Sequence, residues 1–311
     1  MTEISCYNPE DLREYYGIFV SAHPEERVSF GRFVKSTVLD RNFTRESFIT
    51  ASDGGKPVGF VYAPERVYAV SKNGNNDTCG YITLLSVKPG LSVADIGGCL
   101  LEAAEALQKK RCRTFLSTGY SPVYINQGCN AKETDYLELF RGRGYKESVS
   151  ASRIMKLSGR KKQDLSVLRE KLGSEGYYIG PLEPEIADEY LSEDAPFSGS
   201  GWAWEFRSRL EQTLDWNSVH VAVKDGHIVG ACVFGDPMSD NERFGPFGVG
   251  EKHQGRGIGK ILLNDTLDEM ERRGLQCAWM QWTPVSGSAD ALYGKFGFTV
   301  AGTYYTFKKE L

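Results

Sequence analysis

Two short stretches of this chain return later in the same order, and no other feature restricts the fold as tightly. A shift of 162 residues lays Ile96-Gly97-Gly98-Cys99-Leu100-Leu101 over Ile258-Gly259-Lys260-Ile261-Leu262-Leu263, and Val87 over Val249. A shift of 153 lays Phe140-Arg141-Gly142-Arg143-Gly144-Tyr145 over Tyr293-Gly294-Lys295-Phe296-Gly297-Phe298. The spacing between the two anchors therefore changes by only nine residues. Self-similarity of this kind predicts two copies of one fold. A length of 311 residues agrees with two domains of about 150.

Hydrophobic periodicity gives both copies a similar order of elements. In the first copy, helical patterns cover Pro9–Ser21 and Val28–Leu39. A hairpin joins Ser47–Ala51 to Pro57–Val61 through Asp53-Gly54-Gly55, and strands follow at Arg66–Val70 and Tyr81–Val87. Then come a helix over Ala94–Lys110, a strand over Thr114–Tyr120, a helix over Asp135–Arg141 and a strand over Tyr145–Leu157. The polar, basic segment 158–163 reads as a linker. The expected domains are 1–157 and 164–311. The second copy opens with a helix at Asp164–Leu172 and a strand at Tyr177–Leu182, and helices follow near Pro184–Leu191 and Trp204–Leu214. A hairpin turns at Asp225-Gly226 between Val219–Val223 and Ile228–Phe234, and Arg243–Val249 is the next strand. After a glycine-rich turn come a helix to Arg273, a strand at Cys277–Trp282, a helix at Ala289–Phe296, and strands at Thr299–Val300 and Thr303–Phe307. The class is mixed α/β, each copy a mostly antiparallel mixed sheet flanked by helices.

Charge and composition narrow the function classes. A net charge of −4 leaves no basic field for a nucleic-acid backbone or an anionic membrane. The N-terminus lacks the basic and apolar regions of a signal peptide, and no apolar run reaches the roughly 18 residues of a membrane span. Seven scattered cysteines form no CxxC pair, and four histidines show no paired-ligand spacing. A cytoplasmic protein with reduced thiols and no metal is expected, its oligomeric state open.

The segment Val249-Gly250-Glu251-Lys252-His253-Gln254-Gly255-Arg256-Gly257-Ile258-Gly259-Lys260 ends a strand and opens a helix. A helix N-terminus presents unpaired amides and partial positive charge, and glycines let a phosphate approach them closely. A Walker A loop would need glycine at Gln254 and Ser or Thr at Ile261, and a dinucleotide fingerprint would need glycine at Lys260. Both are excluded. The pattern QxxGxG, met by Gln254, Gly257 and Gly259, resembles the acyl-CoA N-acyltransferase (GNAT) superfamily. A second family motif, YxKxGF, stands at Tyr293–Phe298.

The resemblance implies that the amides of the 254–259 turn hold the pyrophosphate of acetyl-CoA as cosubstrate. Phe247, Val249, Gln254, Gly255, Arg256, Gly257, Ile258, Gly259, Lys260 and Ser286 would be the cofactor-binding residues. Ser286 stands where many members have Asn for pantetheine, and Glu251 where Pro is common. By the same resemblance Tyr293 lies near the thioester sulfur and acts as general acid. Family members often use a carboxylate near the fourth strand as base. Here that is Glu242, with Asp236 and Asp240 as neighbours, or ordered water serves instead. The acceptor pocket falls on Pro196–Arg207, with Trp202, Trp204 and Glu205 as substrate-binding residues.

In the first copy Gln254, Gly255 and Gly257 become Ser92, Val93 and Asp95, and Tyr293 becomes Phe140. The arrangement resembles tandem GNAT proteins such as mycothiol synthase, with one active copy and one degenerate copy that is structural or shapes the substrate site. The expected activity is transfer of an acetyl or short acyl group to a primary amine of a small molecule. The alternative is an acyl-CoA-binding sensor without turnover.

Overall fold

The computed structural model describes residues 2–66, 79–110, 112, 114–120, 123–190, 215–235 and 241–311. The described residues cluster into two compact units. One holds those up to 150 together with Gly302–Leu311, and the other holds Ala151–Ala301. Against the expected boundaries, 151–157 lie with the second unit and 302–311 with the first.

The chain runs β1 (Glu3–Cys6), α1 (Leu12–Ala22), α2 (Phe30–Ser36), β2 (Phe48–Asp53), β3 (Lys56–Tyr62), β4 (Cys79–Tyr81) and β5 (Leu84–Val87). It continues through α3 (Gly98–Gln108), β6 (Thr114–Ser117), β7 (Cys129–Asn130), α4 (Thr134–Gly142) and β8 (Lys146–Lys156). Then follow α5 (Ser166–Ser174), β9 (Tyr177–Pro181), α6 (Ala187–Tyr190), β10 (Val219–Lys224), β11 (His227–Phe234) and β12 (Phe244–Val249). Last come α7 (Ile258–Arg272), β13 (Cys277–Thr283), α8 (Ser288–Phe296) and β14 (Thr299–Glu310).

In the first unit β1, β2, β3 and β5 form an antiparallel sheet in that order. Beside it β4 runs parallel to β6, and β14 pairs antiparallel with both β6 and β7. In the second unit β12, β11, β10 and β9 form the corresponding antiparallel sheet, and β8 pairs with β13. Both units use the same two-residue hairpin. Gly54 and Gly55 have φ of 56° and 77°, and Asp225 and Gly226 have 53° and 79°. Paired positive φ values match the right-handed strand twist, which is why Gly and Asp-Gly stand there.

Each unit buries its own core. In the first, Phe48 and Phe60 stack at 4.9 Å under Tyr15 and Phe33. In the second, α7 turns Ile261, Leu262, Leu267 and Met270 inward against β11 and β13 residues such as Cys232 and Ala278. The expected linker is fastened to this second core. Leu157 is buried, and the guanidinium of Arg160 is almost wholly buried against Asp268 and Glu271 of α7.

Several elements differ from expectation. The strand expected at Tyr81–Val87 is split between β4 and β5, and β7 has no counterpart among the expected elements. Strand β1 alternates polar and apolar residues over only four positions, Glu3-Ile4-Ser5-Cys6, and all four are exposed, so its pattern is too short to stand out as a strand. The two short C-terminal strands are one strand, β14. The helix expected from Ala94 opens as a π-helical turn at Val93–Gly97 before α3. Much of the strand expected at Arg66–Val70, and the helix at Trp204–Leu214, lie outside the described residues.

Candidate active site

Strands β12 and β13 are joined by a parallel bridge between Arg243 and Trp279. Past that bridge no further pairing joins them among the described residues, and a cleft of about 700 Å³ lies against β12. Its walls are Phe247–Val249, the turn His253–Lys260, and residues of α8 from Ser288 to Lys295. A volume of this size suits an elongated small ligand.

The turn presents backbone rather than side chains to the cleft. The Gln254 side-chain amide donates to the Val249 carbonyl at 2.9 Å and ties the turn to the strand end. Gly255 has φ of 76° and Gly257 has 95°, both in the left-handed region that disfavours a side chain. Gly257 is the N-cap of α7 with no side chain bonded to the helix end. Among the described residues the amides of Gly255, Arg256, Gly257, Ile258 and Gly259 donate to no backbone carbonyl. A Cβ at Gly259 would sit 3.2 Å from Phe247, and one at Gly257 would sit 2.8 Å from Leu168. Backbone thus comes to the cleft surface where side chains would have blocked it.

Tyr293 lines the same cleft and is 7% exposed. Its ring meets Phe247 at 6.2 Å and Phe298 at 5.9 Å. Burial pushes the phenol above its ordinary range, the Cys232 thiol adds to this, and the positive charge of Arg153 works against it. Phe247 therefore touches both halves of the site, the turn through Gly259 and the phenol through its ring.

Of the expected cofactor residues, Phe247, Val249 and Gln254–Lys260 all border the cleft, whereas Ser286 does not and is exposed. Ser288 and Ala289 stand at the wall instead. Glu242 is engaged elsewhere, at the joined end of β12 and β13. Its carboxylate accepts from the amides of Gln276 at 2.7 Å and Cys277 at 3.1 Å, and from the Cys277 thiol at 2.9 Å. Burial raises its pKa, but the Cys277 thiol and the two amides outweigh that and hold it below the usual carboxylate range. Trp202, Trp204, Glu205, Asp236 and Asp240 lie outside the described residues.

Two cleft residues escaped motif reasoning. Leu168 reaches Gly257 from α5, and His253 is fixed by a 2.9 Å hydrogen bond between its Nδ1 and the Tyr177 hydroxyl. Leu168 enters the site from a separate element, whereas His253 lies in the 249–260 segment beside Gln254 but at no position that the QxxGxG motif specifies.

The matching turn of the first unit is closed on itself. Ser92 Oγ accepts from the Asp95 amide at 3.1 Å, taking one of the donors an anion would need. Phe140 is 1% exposed and stacks on Phe307 at 4.8 Å.

Residues 184–298 match the sequence model of the acetyltransferase (GNAT) family. This segment is thus similar in sequence to GNAT acetyltransferases. Curated relatives include the ribosomal protein bS18 alanine N-acetyltransferases of Escherichia coli K12, 35% identical over 60 residues, and of Salmonella typhimurium, 38% identical over 55. These alignments cover 18% and 17% of the chain and 40% and 37% of the relatives, so the likeness spans less than half of either protein. Solved structures extend the likeness of fold to nearly the whole chain. A GCN5-related glucosamine N-acetyltransferase region of a fungal multi-domain β-N-acetylglucosaminidase has a TM-score of 0.81 at 17% identity, over 99% of this chain and 38% of that one. A GCN5-related N-acetyltransferase from Sphaerobacter thermophilus has 0.70 at 16%, covering 99% and 95%. A tandem GNAT protein from the clavulanic acid biosynthesis pathway has 0.63 at 14%, covering 100% and 98%. The chain is thus built as two GNAT folds in tandem. Among the described residues no helix is long and apolar enough to cross a membrane, and no group of three His, Cys, Asp or Glu is placed to hold a metal.

Proposed function

We propose that the second unit transfers an acetyl or short acyl group from CoA to a primary amine of a small molecule. The observation carrying this reading is that a glycine-lined helix N-terminus, whose first amides have no backbone acceptor, and a buried phenol face one cleft. The amine must arrive neutral. Its nitrogen bonds the acyl carbon, the C–S bond breaks, and Tyr293 gives its proton to the sulfur. The phenolate recovers a proton as the amine loses its own to water. Glu242, held ionised by three donors, is assigned no proton transfer. Ser92 and Phe140 support a first unit that takes no CoA.

Relatives of part of the chain act on an alanine of a ribosomal protein, and a protein of similar fold on glucosamine. The acceptor panel therefore includes amino acids, polyamines, aminoglycosides, glucosamine and a peptide beginning with alanine. Thiol release from acetyl-CoA should rise above hydrolysis with at least one of the small amines. Release with the peptide alone would replace the small-molecule acceptor. Tight acetyl-CoA binding with no release from any amine would favour a sensor.

A further inference from the structure

Arg153 sits on β8, opposite Met280 of β13, and only 5% of it is exposed. It comes from outside the segment that matches the family. Its Nε donates to Thr283 Oγ1 at 3.1 Å, and its Nη2 donates to the Pro284 carbonyl at 3.2 Å and to the Asp290 carboxylate. Thr283 Oγ1 donates onward to the Ala151 carbonyl at 2.7 Å. One guanidinium therefore ties a strand end, the loop before α8 and the first turn of α8. Asp290 and Tyr293 are three residues apart on α8 and share a helix face.

The Arg153 side chain is buried while Asp290 is 35% exposed, and a half-buried ion pair is weak evidence for stability. The fold alone does not explain a charge at this point. We infer that Arg153 is a positioning residue for acyl transfer, setting the first turn of α8 and placing a buried positive charge, through Asp290, beside the helix face that carries Tyr293. The role rests on the reading of Tyr293 as general acid. Burial makes the phenol a poorer acid, and the guanidinium opposes that effect. Proton transfer is most effective when the donor is not too weak for the group it serves.

The test places 3,5-difluorotyrosine at position 293 of the full chain, which brings phenol ionisation toward neutral pH, and follows it by fluorine NMR. Arg153→Met should move the ionisation upward by about one pH unit, because an opposite charge favours the phenolate. Asp290→Asn should move it downward, since it leaves the guanidinium less neutralised. This second variant removes no buried cation and keeps the test open if Arg153→Met fails to fold. Arg153→Lys should fall between the parent and Arg153→Met. An ionisation unmoved in every folded variant, together with a kcat loss in Tyr293→Phe, overturns the role of Arg153 alone. Full kcat in Tyr293→Phe overturns the acid reading and this role with it.

Discussion

Tyr293 and Phe140 hold matched places in the two copies and differ by one oxygen. Tyr293→Phe keeps the ring contacts with Phe247 and Phe298. Fold and acetyl-CoA affinity should survive, and kcat and kcat/KM should fall together by about 10² to 10⁴, the usual worth of a positioned acid. Parental kcat at saturating amine, with chemistry rate-limiting, would reduce Tyr293 to a packing residue. Gly257→Asp reproduces the residue the first copy carries at Asp95. A carboxylate about 4 Å from a pyrophosphate costs on the order of 4 kcal/mol near a surface, so affinity should drop roughly a thousand-fold. The left-handed φ of 95° adds roughly 1–2 kcal/mol of backbone strain, and the contact with Leu168 tightens the site further. Calorimetry with a parallel thermal melt separates these effects. Retained affinity in a folded variant would remove the turn from the site.

At the level of elements, the C-terminal strand matters most. Gly302–Leu311 belongs to the first unit although it ends the chain. Phe307 is 1% exposed there and stacks on Phe140, while Lys309 Nζ lies 2.9 Å from Glu105 of α3. Phe307→Ala should cost about 3–5 kcal/mol, as large aromatic truncations in a core do. The loss should appear in the first unit as faster hydrogen exchange in β6 and α4. Lost protection confined to α7 and β13 would show that the strand serves the other unit.

For the molecule as a whole, two similar folds should yield one site. The second-unit turn offers amides with no backbone acceptor, whereas Ser92 occupies the matching turn in the first. Calorimetry should give one acetyl-CoA per chain, and two equivalent sites would refute this. Ligand at 100 times its Kd stabilises the binding unit by about 2.7 kcal/mol. Hydrogen exchange should therefore slow around β12 and α7 and stay unchanged around β5 and α3.

The repeat, the mixed α/β order and the glycine turn were legible because each rests on local chemistry. Backbone at positive φ calls for glycine or an Asp-Gly pair, and a buried helix face calls for apolar residues three and four apart. Those demands appear within a few neighbouring positions. The sequence by itself therefore determined that two like copies exist and that one of them keeps Gln254, Gly257, Gly259 and Tyr293. Only the tertiary structure decided that 302–311 completes the first unit, that Glu242 caps the start of β13, that Leu168 reaches the cleft, and that Arg153 ties the first turn of α8. Each of those facts depends on which distant strands and helices pair. A strand edge or a long side chain accepts many partners equally well, so no local pattern can name the one it meets.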